Sequence, residues 1–245
     1  MTNYELLRWL TFPVMTVHLQ TVRRDVRHLV KSLKKTRRSV SILDVGGRKS
    51  PYTIGLSASI TLLDVPQEQG TKQDLNLGFT ESILKTIQKK RSNISDLIIQ
   101  DMTTSTLTDA SYDAVTCIEV IEHVPNDEDF VANISKVIKP GGWAYFTTPN
   151  GDFIKNEGPD RNMDHVRHYT KSELQSLLDR YFKKVEVRYA VKTGTYRVMG
   201  LKGIKASNPL GIIKTASANI INGFQSKGLE NTSMETAHLI AVAYK

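Results

Sequence analysis

Four short runs of apolar and β-branched residues recur along the chain, and each closes on a carboxylate. SVSILDV (39–45) carries Asp44 and stops at Gly46-Gly47, ITLLDV (60–65) carries Asp64, DLIIQDM (96–102) carries Asp101, and YDAVTCIEV (112–120) carries Glu119. Runs this short and this apolar suit strands covered on both faces, as in a parallel sheet. Three more follow: WAYFTTP (143–149), KVEVRYAV (184–191) and HLIAVAYK (238–245). Between them lie helical patterns. FTESILKTIQKKRSN (79–93) is amphipathic, and NDEDFVANISKVIKPGG (126–142) has early acids, late lysines and a Pro-Gly stop. TKSELQSLLDRYF (170–182) opens on a capping box of Thr170 with Glu173. Strands alternating with helices predict an α/β, doubly wound, mostly parallel sheet with helices on both faces.

The rest of the sequence sets the organisation. One cysteine, Cys117, excludes an internal disulfide and offers no metal-site spacing. No apolar run reaches the length of a membrane span, and the start MTNYELLRWLTFPVM does not read as a signal peptide, which points to the cytoplasm. The net charge of +8 is concentrated at the front, where residues 1–38 hold nine Lys/Arg against Glu5 and Asp25. Within 15–36, apolar residues at 22, 26, 29, 30 and 33 predict a docking helix with its basic residues largely opposite. We therefore divide the chain into a basic helical extension (1–38), a core (39–191), an insertion (192–235) and a final core strand (236–245). The insertion includes the partly apolar NPLGIIKTASANIINGF, a further helix, and its length suggests a lid or substrate cap.

In a doubly wound sheet, ligands bind beyond the carboxyl ends of the strands, where strand order reverses. Gly46 and Gly47 permit a sharp turn there, Asp64 is placed to accept from ribose hydroxyls, and Asp101-Met102 suits an adenine edge. A dinucleotide needs a glycine cradle for its pyrophosphate, whereas GGRKSPY has Arg48 and Ser50 at those places. S-adenosylmethionine (SAM) carries no phosphate, so the sequence favours SAM over NAD.

ILDVGGR, LLDV, QDM, SYDAVTCIEVIEHV and IKPGGWAYFTTPNGD, in this order and spacing, resemble the class I SAM-dependent methyltransferases. EVIEHV and DHVRHYTKSELQSLL are similar to the branch that includes ubiquinone-biosynthesis O-methyltransferases and related small-molecule enzymes. The resemblance covers residues 39–191 and the last strand, and departs from the family at 48 and 50, where glycine is usual. It implies a Rossmann-like, seven-stranded sheet with its last strand antiparallel. By this resemblance Asp44, Gly46, Gly47 and Glu119 serve the methionine end of SAM, Asp64 and Val65 the ribose, and Asp101 and Met102 the adenine. Histidine is the natural base for an acceptor hydroxyl, which makes His123, His165 and His168 the catalytic candidates. Glu119-x-x-Glu122-His123 also resembles a divalent-metal pattern of that branch, an alternative use of the same residues. The acceptor is expected to be a small molecule, a lipid-linked group or a glycan, methylated at oxygen, with residues 15–38 available to an anionic surface. Two other readings stand beside this one. An RNA methyltransferase is suggested by the basic segment, but no RNA-binding module or DPPY-like motif supports a nucleic-acid partner. A non-catalytic SAM-binding protein is suggested by the altered glycine loop.

Overall fold

The computed structural model describes residues 2–47, 50–66, 86–87, 89–159, 161–202 and 209–245. Its strands are β1 (Ser41–Val45), β2 (Ser59–Asp64), β3 (Ile94–Ile99), β4 (Tyr112–Ile118), β5 (Ile138–Pro149), β6 (Lys184–Lys192) and β7 (Thr236–Tyr244). They form one sheet in the order β3-β2-β1-β4-β5-β7-β6. β1 to β5 pair in parallel, while β7 runs antiparallel between β5 and β6. The chain reverses direction across the sheet between β1 and β4, so the switch point lies where Asp44 and Glu119 meet.

Strand alternation sends neighbouring residues into two cores. On one face Leu43, Val45, Val115, Cys117 and Phe146 pack under α3 (Asp127–Val137) and α4 (Lys171–Asp179), which contribute Phe130, Ile134, Leu174 and Leu178. On the other face Ile42, Ile60, Leu62, Ala114 and Ile240 pack under α2 (Val17–Leu33) through Val22, Val26 and Val30. The expected docking helix is thus present and buries its apolar stripe. Arg24, Arg27, Lys31 and Lys34 point to solvent, but Arg23 is buried with its guanidinium 4.6 Å from the Phe12 ring centroid.

One sequence expectation is revised. α3 ends at Val137 rather than at 142, because Pro140-Gly141-Gly142 falls inside β5, where the register against β4 shifts between Tyr112 and Ala114. A helix α1 (Asn3–Thr11) precedes the docking helix and is started by Thr2 and Glu5 in a capping box. Residues 50–58 form turns and bends. Most of the helix expected at 79–93 lies outside the described residues; of that stretch, 86–87 and 89–90 are helical. The insertion contributes α5 (Thr195–Leu201) and α6 (Pro209–Gln225).

Candidate active site

The carboxyl ends of the strands meet at the switch point. Gly46 turns with φ +70°, and a Cβ there would lie 2.4 Å from Val120 Cγ2, so both conformation and space require glycine. Asp44 is buried, and its two oxygens accept from Thr53 Oγ1 (2.6 Å) and Thr116 Oγ1 (2.9 Å). Burial raises its pKa against the pull of those bonds. The turn after β1 is braced from a distance. Arg91 donates to Thr53 Oγ1 (2.8 Å) and to the Ser50 carbonyl (3.2 Å), and Asn93 Nδ2 donates to the Thr53 carbonyl (2.8 Å). Asp44 is therefore engaged within the protein as the inner anchor of this turn. Arg48, the other departure from the family pattern, lies outside the described residues.

Asp64 ends β2 half-buried, its Oδ1 accepting from the Val65 N–H (2.9 Å), and Val65 is exposed. On the neighbouring strand Asp101 is exposed and caps a short 3-10 turn by accepting from Thr103 N (2.8 Å). Met102 points into the core, which leaves only its main chain to offer a ligand.

Beyond β4 the structure builds two separate histidine–carboxylate clusters. In the first, Glu119 adopts φ +54° and its Oε1 accepts from Thr147 Oγ1 (2.7 Å). Arg197, from α5, can only donate, so its 3.3 Å contact makes His238 Nε2 an acceptor and puts the imidazole proton on Nδ1. That Nδ1–H then donates to Glu119 Oε1 (3.3 Å). His18 of α2 stacks on His238 with centroids 4.2 Å apart and meets Tyr52 edge-on at 5.7 Å. Burial and His238 push the His18 pKa down to about 3, and neither of its nitrogens is hydrogen-bonded. Burial alone would raise Glu119; the hydrogen bonds it accepts from His238 and Thr147 outweigh it and hold the carboxyl well below the usual range.

The second cluster sits on the short 3-10 turn Ile121–His123. Glu122 is 1% exposed and neither carboxylate oxygen is hydrogen-bonded; the nearby Thr148 hydroxyl is likewise without a partner. Burial and the charge of Glu119 push the Glu122 pKa well up. The main chain of Val166 donates to the Glu122 carbonyl (2.8 Å), which docks the 161–169 loop here. His123 Nδ1 meets the Asp164 carbonyl at 2.7 Å and His168 Nδ1 meets the Ile154 carbonyl at 2.7 Å, so both nitrogens carry protons. His168 Nε2 then accepts from His165 Nδ1 (2.7 Å). The Nε2 lone pairs of His123 and His165 are left as the basic positions, with the rings perpendicular at 4.6 Å. Burial and His123 lower the His165 pKa to about 4, keeping it neutral.

One ligand atom from each of Glu122, His123 and His165 lies within 4.8 Å of the others, and the same holds for His18, Glu119 and His238. Among the described residues the expected trio of Glu119, Glu122 and His123 is therefore not a unit. Glu119 belongs to the His18–His238 group, and His165 stands beside Glu122 and His123. Of the three catalytic candidates, His123 and His165 present a basic nitrogen, while His168 has both nitrogens engaged and orients His165. His18, His238 and Arg197 were not anticipated. A histidine opening the otherwise apolar HLIAVAY run was the one local signal for His238.

The sheet order and strand ends define an open, doubly wound α/β protein with its topological switch between β1 and β4. The chain belongs to the methyltransferase-domain family, whose model matches residues 18–185. A ubiquinone biosynthesis O-methyltransferase of Burkholderia orbicola is 36% identical over 80 residues, covering 28% of this chain and 34% of that protein. The chain thus matches about a third of the length of such curated relatives. A SAM-dependent methyltransferase from Archaeoglobus fulgidus superposes with a TM-score of 0.53 at 14% identity, covering 91% of this chain and 94% of its own. Phosphoethanolamine N-methyltransferase 2 of Haemonchus contortus, solved with SAM, gives 0.51 at 12% identity over 84% of this chain and 49% of its own. At these identities the likeness is one of fold.

Proposed function

We propose that the chain is a SAM-dependent methyltransferase that acts on a hydroxyl of a small-molecule or lipid-linked acceptor. The observation that carries this is the switch point itself: a glycine turn at Gly46, with Asp64 and Asp101 on adjacent strand ends. Asp64 would hold the ribose, Asp101 the adenine, and Gly46 and Gly47 the methionine end. Methyl transfer from a sulfonium is an in-line displacement, so positioning and exclusion of water supply most of the acceleration. The acceptor proton would pass to Nε2 of His123 or His165, both oriented through their Nδ1 protons.

The orphaned Glu122 carboxylate supports a second use of the same residues. Glu122, His123 and His165 fit a divalent cation, because carbonyl and imidazole acceptors already fix the ring tautomers as outer partners do in metal sites. A bound cation there would acidify the acceptor hydroxyl. The insertion 192–235 would close over the acceptor, since Arg197 reaches His238 at the rim.

Isothermal titration with SAM and S-adenosylhomocysteine, beside ATP and NAD, tests the cofactor. Binding of the first two alone, lost in Asp64→Ala, is expected. Binding of none of them, or of NAD in their place, would overturn the reading. Methyl transfer to a panel of hydroxyl acceptors then separates an enzyme from a SAM-binding protein.

A further inference from the structure

The surface built by α1, α5 and α6 is apolar to a degree that solvent does not favour. Trp9 and Leu10 of α1, Val198 and Leu201 of α5, and Ile213 and Phe224 of α6 are each more than half exposed. Single exposed apolar residues are ordinary, but large ones gathered on adjoining helices mark an interaction face. These helices do adjoin. Asn219 of α6 donates to the Val14 carbonyl just after α1 (2.9 Å) and to the Gly200 carbonyl in α5 (3.3 Å), stapling the three together.

Charge identifies the partner. Residues 1–38 and 192–229, the two segments that supply this face, hold fifteen of the 33 Lys/Arg and only two of the 25 Asp/Glu. The stretch 192–229 has six basic residues and no acid. Of the two acids, Glu5 is buried against Ser92 and Asp25 is paired with Arg188. The remainder of the chain is net acidic. A second copy of the chain docking through the same face would press like charges together. A surface that is negative outside and apolar beneath fits both properties.

We infer that α1, α5 and α6 seat the protein on the interface of an anionic lipid bilayer, with the outward basic face of α2 adding attraction. None of the described helices is long and apolar enough to cross a membrane, so they would lie on it. The acidic remainder of the molecule would be repelled from the same lipids, which orients the protein. This docking does not depend on the proposed reaction.

Trp9 provides the readout, because the second tryptophan, Trp143, is buried. The full chain is mixed with phosphatidylcholine vesicles, with or without phosphatidylglycerol at about one lipid in three. Co-sedimentation with the anionic vesicles, weakened by salt and accompanied by a blue shift of Trp9 emission, is expected. Phe224→Glu with Leu10→Glu should lower retention about 10-fold or more while the melting temperature stays unchanged. Lys202→Ser with Lys214→Ser and Lys227→Ser should weaken it without disturbing the apolar face. Failure to sediment with either vesicle would overturn the inference. So would a concentration-dependent dimer that shifts Trp9 emission without lipid, which would assign the face to self-association.

Discussion

The two histidine–carboxylate clusters beyond β4 are three residues apart in sequence at Glu119 and Glu122, yet they are wired in opposite senses. At Glu119 a permanent cation starts the chain of donors. Arg197 donates to His238, His238 donates to Glu119, and Thr147 completes the carboxylate's partners. At Glu122 the protons run outward, from His123 to a carbonyl and from His165 through His168 to another. The first arrangement engages both nitrogens of His238 and the Glu119 carboxylate inside the protein, with His18 stacked against them and unbonded. The second leaves two imidazole lone pairs facing a carboxylate with no donor. Composition does not separate the clusters, since each has two histidines and one glutamate. The partner behind each histidine does, because it decides which nitrogen carries the proton.

Four experiments would break or sharpen this contrast. Glu119→Ala removes the acceptor that holds His238 and Arg197, and should cost about 3 kcal/mol in a denaturant titration at unchanged slope. A cost near zero would show that the cluster is not a structural network. His165→Ala should lower divalent-cation affinity by about 100-fold in equilibrium dialysis, while His238→Ala leaves it unchanged. The reverse pattern would exchange the roles of the two clusters. Glu122→Gln in chelator-treated protein should raise the melting temperature by about 2–4 °C at neutral pH, because a buried acid held protonated costs stability above its ordinary pKa and the amide does not ionise.

The smallest effect uses a fully satisfied acid as a reference. Asp113, at the opposite end of β4, accepts from Ser41 and pairs with Lys139 and Arg37. Burial would raise its pKa, but these partners outweigh burial and hold it below the usual range. A lowered carboxylate stabilises above its unfolded pKa, and that stability is lost as pH falls through the folded value. Asp113→Asn should therefore remove about 1 kcal/mol at neutral pH and flatten the acid limb of a stability profile. An acid limb that stays as steep would place the pH response elsewhere.

Much of the framework was legible because it is written in local pattern. Each strand run was found within a few residues, since its apolar pattern, and in four of the seven its terminal carboxylate, is contiguous in the chain. The helix at 3–11 carries the same Thr-x-x-Glu signature as α4, at Thr2 and Glu5, and lies within the stretch 1–38 read as a helical extension. Pro140-Gly141-Gly142 reads as a stop under helical rules, but β5 absorbs it where its pairing with β4 slips register. The first cluster was hidden for another reason. His18, Glu119, Arg197 and His238 lie on four separate elements, and only the insertion of β7 between β5 and β6 brings them together. No window of sequence contains such a contact, whereas Glu122 and His123 are adjacent and were found.

The brace on the turn after β1 has a consequence for cofactor capture. That turn has no helix of its own over 50–58, and its shape is fixed by Arg91 and Asn93, which arrive from beyond β2. A loop already held in one conformation surrenders little entropy when a ligand arrives, so its stiffness appears as affinity. Here the stiffness is on loan from the residues that lead into β3. Loosening that segment would leave every atom lining the turn intact and still weaken binding, through the entropy lost each time the turn had to order itself.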